Sequence, residues 1–535
     1  MGSLWKISAD HHGIKFQSLP FVSSNMADYL AIGVHLGATT SCVAVSADGN
    51  TTIIANDAGD RVTPAMVAFS DTEKNVGLPA KQGLIRNARN TILRAKRVLG
   101  KSYSDSVVQE EAAALQCKLI DKDGLPYYEV ESNERNIQVS PKEVINMIYK
   151  KMLETAQSHC GSSSNHVVLT VPVNFQEKEV SLLREAAEEA GFHILRIINE
   201  PVAAALAYGL GQNDRSQDST VLVYRLGGAS HDVTLLSVIN GMYKVLATEY
   251  DGALGGRNFD EVLLDLLAND FKRKWKIDPL TNKRSKTKLQ TSAEQCKNIL
   301  STLESANCSV DSLCEGIDFQ GQVSRAKFES SCSSLFQRCL GSIEKVLSSA
   351  NVPKDEVDKV ILVGGATRTP KIQQLLKNYF VGKEICRRIS PDEVVAYGAA
   401  VQASILMGRK EADMITEIET MSKAICVSVG GESSRMIPVI PQYCPYPLRR
   451  AHTFTTATDD QESVCLSIYE VEDPQDARAA NSVLLAKIVL RDLPAQPKGE
   501  LKFTATFHVK KDGSLHVHLM EKTTNRSADV NIDAT

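Results

Sequence analysis

From Ala31 to about Gly408 the chain alternates short apolar runs, rich in β-branched residues, with longer stretches of helical period, the habit of an α/β domain. The apolar runs recur in one form. Residues 221–226 end at Gly227-Gly228-Ala229-Ser230, and a second apolar run, 231–236, comes at once after them, which reads as strand, tight small-residue turn, strand. The same form stands at 31–45 around Gly37-Ala38-Thr39-Thr40, and Leu36 and Leu226 lie 190 residues apart. That spacing predicts two similar half-domains. A third run, 360–363, ends at Gly364-Gly365-Ala366-Thr367-Arg368. Small residues let backbone N–H groups approach a ligand closely, so two facing turns and a third predict a nucleotide gripped between lobes by its phosphates.

Helical periods predict helices over 85–99, 141–159, 177–190 and 260–276, with Pro141 in the first turn of the second and Gly191 stopping the third. On the 85–99 helix Arg86, Arg89, Arg94, Lys96 and Arg97 take the polar positions. Residues 410–424 carry few strand or glycine signals and read as a linker. Beyond them the period shortens to alternating strands, expected at 425–429, 436–440, 452–457, 463–469, 484–490, 501–509, 515–520 and 529–532, punctuated by prolines and Asp512-Gly513. This predicts a β-sandwich. Residues 1–25 differ from the rest of the chain and read as a disordered extension or an alternative start.

Composition narrows the function classes. At 535 residues, 43% apolar and 23% charged, the chain is a soluble globular protein of two to four domains. Its net charge of −4 argues against a general grip on nucleic acid, DNA included, while leaving room for a local basic patch, and no apolar run reaches the ~20 residues that cross a bilayer. Twelve scattered cysteines, without a CxxC or a Cys/His cluster, predict buried thiols in a reducing cytosol and no metal site of their own. The basic stretch from Lys272 to Lys288 could meet RNA phosphates. A solvated helix face is the favoured reading, because Trp275 alone interleaves it.

The motifs at 31–45, 168–172, 195–201, 203–210, 221–236, 360–370 and 391–400 together resemble those of the 70-kDa heat-shock protein family. The resemblance implies an actin-like, two-lobed nucleotide-binding domain over 26–409 and an all-β sandwich over 425–535. The sandwich is similar to the family's peptide-binding domain, here without a helical lid. It implies ATP as cofactor, with Lys81, Glu200 and Asp232 as catalytic residues. Gly37, Ala38, Thr39, Gly227, Gly228, Ala229 and Ser230 would cradle phosphate, while Glu294, Lys297, Ser301, Gly364, Gly365, Arg368 and Asp392 would hold the adenosine. Taken singly, Lys81 reads as a surface lysine, Glu200 as a helix-start carboxylate and Asp232 as a strand-edge residue.

Departures from the family pattern bear on mechanism. His35 and Arg225 stand where the family places aspartates before the two phosphate turns, Ala38 and Ala229 alter the turns, Asn298 replaces an adenine-stacking arginine, and Ala366 replaces a serine. A fixed guanidinium favours phosphate but repels Mg²⁺, so the magnesium site is weakened and binding should outlast hydrolysis. Such departures resemble those of an atypical ribosome-associated branch, which implies a J-domain co-chaperone, the ribosome and nascent polypeptide as partners in the cytosol. The alternative is a free ATP-hydrolysing foldase. A sugar kinase of the same superfold leaves the C-terminal β-domain without a role.

Overall fold

The computed structural model describes residues 30–47, 50–133, 135–160, 164–210, 219–239, 241–408, 421, 423–429, 436–442, 444, 448–471, 482–510, 513–524 and 526–533, with the short strands Trp5–Lys6, Gln17–Ser18 and Thr416–Glu417. Most of the expected extension 1–25 and of the expected linker 410–424 lies outside the described residues.

Strands β1 (Ala31–Leu36), β2 (Thr40–Ala47) and β3 (Asn50–Ile53) form an antiparallel meander. After α1 (Leu78–Asn87), β4 (Thr91–Leu93) joins a small separate sheet. Helix α2 (Pro141–Cys160) leads to β5 (His166–Val171), parallel to β1, and α3 (Glu177–Glu189) to β6 (His193–Asn199), parallel to β5. Helix α4 (Glu200–Ala207) then crosses to the second lobe. There β7 (Ser219–Leu226), β8 (His231–Ile239) and β9 (Met242–Asp251) repeat the meander. After α5 (Gly256–Trp275) and α6 (Lys283–Leu300), β10 (Lys359–Val363) and β11 (Glu384–Cys386) add the parallel pair. The sheets therefore share one order, β6-β5-β1-β2-β3 and β11-β10-β7-β8-β9, so the turn spacing was the trace of a duplicated half.

Helix α7 (Val394–Gly408) wedges between the lobes through the buried residues Ala396, Ala399, Ala400 and Ala403. A Cβ on Gly398 would lie 1.7 Å from the Ala203 carbonyl oxygen of α4, so the two helices cross with backbones in contact. Each lobe keeps its own core, with Phe69, Tyr128, Tyr149 and Phe192 in the first and Phe259, Phe271, Phe328 and Phe336 in the second.

The helix expected over 85–99 is overturned. Helix α1 ends at Asn87, Thr91 and Ile92 pair with Ala68 and Val67, and Arg94 is left-handed at φ 56° before a single 3₁₀ turn, Ala95–Arg97. A free strand edge captured a β-branched segment whose charges happened to have helical period. The helix expected at 260–276 begins four residues earlier, at Gly256, where Asn258 Oδ1 accepts the Gly255 N–H.

All eight sandwich strands are present: β12 (Ala424–Val429), β13 (Ile437–Ile440), β14 (Leu448–Thr455), β15 (Val464–Val471), β16 (Ser482–Leu490), β17 (Lys502–Val509), β18 (Leu515–Glu521) and β19 (Ser527–Ile532). Two sheets, β13-β12-β15-β16 and β14-β17-β18-β19, close over Phe454, Phe503 and Phe507. Upstream, Thr416–Glu417 pairs in parallel with Met242 and Tyr243 of β9. The described cysteines are free thiols, buried except for Cys444 and Cys465. Among the described residues no helix is long and apolar enough to cross a membrane. The basic stretch is a charged surface: Lys272 pairs with Asp278 and Arg273 with Asp270, while Lys288 donates to the Asp311 and Ser312 carbonyls.

Candidate nucleotide site

The two phosphate-grade turns are built alike. The Gly37 N–H donates to the Thr40 carbonyl at 2.8 Å and the Gly227 N–H to the Ser230 carbonyl at 2.9 Å, each closing a hairpin. Among the described residues no hydrogen bond uses the N–H of Ala38, Thr39, Gly228 or Ala229, which leaves four donors for an anion. A Cβ on Gly228 would lie 2.3 Å from Thr39 Oγ1, so the turns abut and the lobes are closed. Gly364, at φ 86° and packed on the Leu226 carbonyl, brings the third turn alongside. Between them lies a cavity of about 670 Å³, within the range of ligand pockets and lined by all three turns.

Behind the turns, hairpin register sets Arg225 opposite Asp232 and His35 opposite Cys42. Arg225 Nε donates to Asp232 Oδ2, its Nη2 donates to Ser230 Oγ at 2.9 Å, and Nε stands 3.4 Å from Glu200 Oε2. The buried ammonium of Lys96 donates to Glu200 Oε1 at 2.9 Å and to the Leu36 carbonyl at 2.6 Å. His35 Nδ1 meets Thr170 Oγ1 at 3.0 Å and stands 3.9 Å from Glu200. Burial pushes His35 down to about 4 against the pull of Glu200, so the imidazole is neutral at pH 7. Burial alone would raise Glu200, but Lys96, Arg225 and His35 hold it at about 2. Asp232 is pushed up by burial to about 6 against Arg225, and it is still ionised at neutral pH. Two cations thus face two carboxylates around a neutral histidine.

The far end of the cavity mixes an exposed pair with a half-buried one. Arg368 donates from Nε and Nη2 to Asp392 Oδ2 at 2.9 and 2.8 Å, and from Nη2 to Ser390 Oγ at 2.6 Å. Lys297 pairs with Asp260 at 2.8 Å, and Ser301 Oγ donates to the Lys297 carbonyl. Across the mouth, Lys81 of α1 donates to Glu294 of α6 at 2.8 Å, joining the lobes. A second strap has Arg94, Arg97 and Arg257 converging on the buried carboxylate of Glu111, while Arg97 Nη1 donates to the Ala229 carbonyl at 2.7 Å.

The cavity wall gathers Gly37, Ala38, Thr39, Lys81, Gly227, Gly228, Ala229, Ser230, Glu294, Lys297, Ser301, Gly364, Gly365, Arg368 and Asp392, with His35, Arg225 and Asn298. Glu200 and Asp232 do not line it; they sit behind His35 and Arg225. Lys81 is not brought to Glu200 either, and the lysine that is, Lys96, was missed because the expected helix put it on a solvated face. Its sequence signal was present, a lysine and an arginine amid the apolar residues Ile92, Leu93, Ala95, Val98 and Leu99.

Closely spaced N–H donors and an open pocket fit an adenine nucleotide. A resident magnesium does not fit. The two carboxylates that would hold its waters are engaged by Arg225 and Lys96, and no group of three His, Cys, Asp or Glu side chains converges among the described residues.

The Hsp70 protein family matches residues 31–535. Heat shock 70 kDa protein 14-B of Xenopus laevis is 45% identical over 508 residues, 94% of this chain and 99% of that protein. Heat shock 70 kDa protein 14 of Homo sapiens is 44% identical over 509 residues, with the same coverage, and that of Danio rerio is 45% identical over 509, covering 94% and 98%.

Proposed function

The chain belongs to the Hsp70 family of ATP-binding chaperones, and from that premise we propose that it is an atypical member that holds ATP and hydrolyses it weakly or not at all. On this reading residues 26–409 form the nucleotide unit, 410–424 the connection and 425–535 the unit that meets polypeptide. The α- and β-phosphates would lie on the N–H groups of the two turns, with Gly364, Gly365 and Arg368 along the nucleoside and Glu294, Lys297 and Ser301 around the ribose and base.

One observation carries the reading: the remaining acidic groups, Glu200 and Asp232, are neutralised inside the protein by Lys96 and Arg225. In-line attack on a γ-phosphate needs groups that order the water and offset developing charge. A carboxylate already bonded to a guanidinium is a poor acceptor for a water proton. Lys96 is fixed beneath the first turn and does not line the cavity, while Lys81 lines it but is paired with Glu294 across the mouth. Each 1.4 kcal/mol of lost stabilisation removes about tenfold in rate, so losing both functions suppresses turnover severely.

Proteins of this family work with J-domain co-chaperones and client polypeptides. For this chain we infer a stable pairing with a J-domain protein on cytosolic ribosomes and action on nascent polypeptide, with ATP turnover left to another chaperone. The support is the overall likeness to the heat shock 70 kDa protein 14 chains together with the disarmed phosphate pole. Single-turnover hydrolysis by the purified full chain, alongside co-sedimentation with ribosomes, tests both halves. The expected result is ATP retained uncleaved and the chain found in the ribosomal pellet. Rapid cleavage with ATP-accelerated peptide release would instead identify a free foldase.

A further inference from the structure

We propose that the cavity takes adenine nucleotide without a divalent metal, the Arg225 guanidinium supplying at the phosphate pole the positive charge that a metal would bring. This rests on the nucleotide reading of the cavity and deepens it by naming the ionic form of the ligand.

The charge arrangement makes the argument. At neutral pH Arg225 and Lys96 balance Glu200 and Asp232, and neutral His35 adds nothing, so the groups behind the turns sum to zero. Aspartates at positions 35 and 225, which the family pattern has, would make the pole more negative by three charges: one at 35, two at 225. A pole of that kind repels bare triphosphate and needs a cation between the two. The pole present here does not.

Arg225 is also held as a fixed charge and is not a mobile surface arginine. Its Nε donates to Asp232 and stands 3.4 Å from Glu200, and its Nη2 donates to Ser230, which locks the plane of the guanidinium. Its Nη1 makes no hydrogen bond among the described residues, and a Cβ on Gly227 would lie 3.2 Å from it, so these N–H groups sit against the second turn at the cavity wall. A planar donor set beside free backbone N–H groups is a phosphate-binding geometry. A divalent ion at the same place would meet the guanidinium and the Lys96 ammonium, and the carboxylate oxygen left without a hydrogen bond there, Glu200 Oε2, is buried 3.4 Å from Arg225 Nε and does not line the cavity.

Calorimetric titration of the full chain with ATP, once in excess Mg²⁺ and once in excess EDTA, tests the inference. The expected dissociation constants agree within about threefold, or EDTA binds tighter. Binding more than about tenfold weaker in EDTA overturns the inference and leaves the nucleotide reading standing, whereas no binding in either buffer overturns both. Arg225→Asp should lose about tenfold or more in EDTA and recover in Mg²⁺; a variant indifferent to the metal overturns the assignment to Arg225. Should Arg225→Asp not fold, Arg225→Lys and Arg225→Gln replace it. Lys should keep EDTA binding within about threefold and Gln should lose about tenfold, and equal losses in the two would overturn the role of the charge.

Discussion

The two ends of one cavity obey different rules. At the outer end, the one proposed to take the adenosine, Arg368–Asp392 and Lys81–Glu294 are half-exposed pairs that water can replace. At the phosphate end Lys96, Glu200, Arg225 and Asp232 are buried together, so each charge depends on its neighbours for solvation. The first arrangement can change a residue at a time with little cost to folding. The second can change only as a set, because removing one buried charge strands its partner.

The widest separation is expected from one chemical change made at both ends. Glu200→Gln strands the buried Lys96 ammonium and should cost about 3–5 kcal/mol in urea unfolding, whereas Asp392→Asn should cost less than about 1 kcal/mol. Similar losses would erase the distinction. Next, Gly228→Val drives a side chain into Thr39 and should weaken ATP binding about a hundredfold or more, read by titration calorimetry, with the fold retained by circular dichroism.

Acid comes third. His35, lowered from 6.5 to about 4, binds its proton less well when folded, so its stabilisation is complete above pH 6.5 and lost as pH falls toward 4. Glu200, lowered from 4.5 to about 2, adds a loss that begins below pH 4.5. Asp232, raised from 3.8 to about 6, takes its proton first in the folded state and offsets part of the fall. Urea midpoints should therefore drop between pH 7 and 4.5, and His35→Asn should flatten the drop by about 1–2 kcal/mol. A variant with an unchanged slope would remove His35 from the account. The smallest effect belongs to the adenosine end: Asn298→Arg should tighten ATP binding about three- to tenfold by offering a cation to the base, with stability unchanged.

Much of this molecule was legible in one dimension. The duplicated meanders, the glycine turns and the eight sandwich strands come from alternation and from small residues at turns, properties of neighbours along the chain. The turns also located the cavity and supply three parts of its wall. The segment 85–99 failed because its helical period of charge lost to a distant strand edge, and with it Lys96 and Arg97 were placed on a surface they do not occupy.

The sequence by itself therefore determined the two-lobed plan, the paired small-residue turns, and a histidine and an arginine at positions 35 and 225 just before them. Only the tertiary structure decided that Arg225 and Lys96 occupy the acids that remain. Strand period and turn chemistry are set by residues a few positions apart, but an ion pair between Lys96 and Glu200 depends on distance and burial across 104 positions, and those exist only once the first lobe has folded.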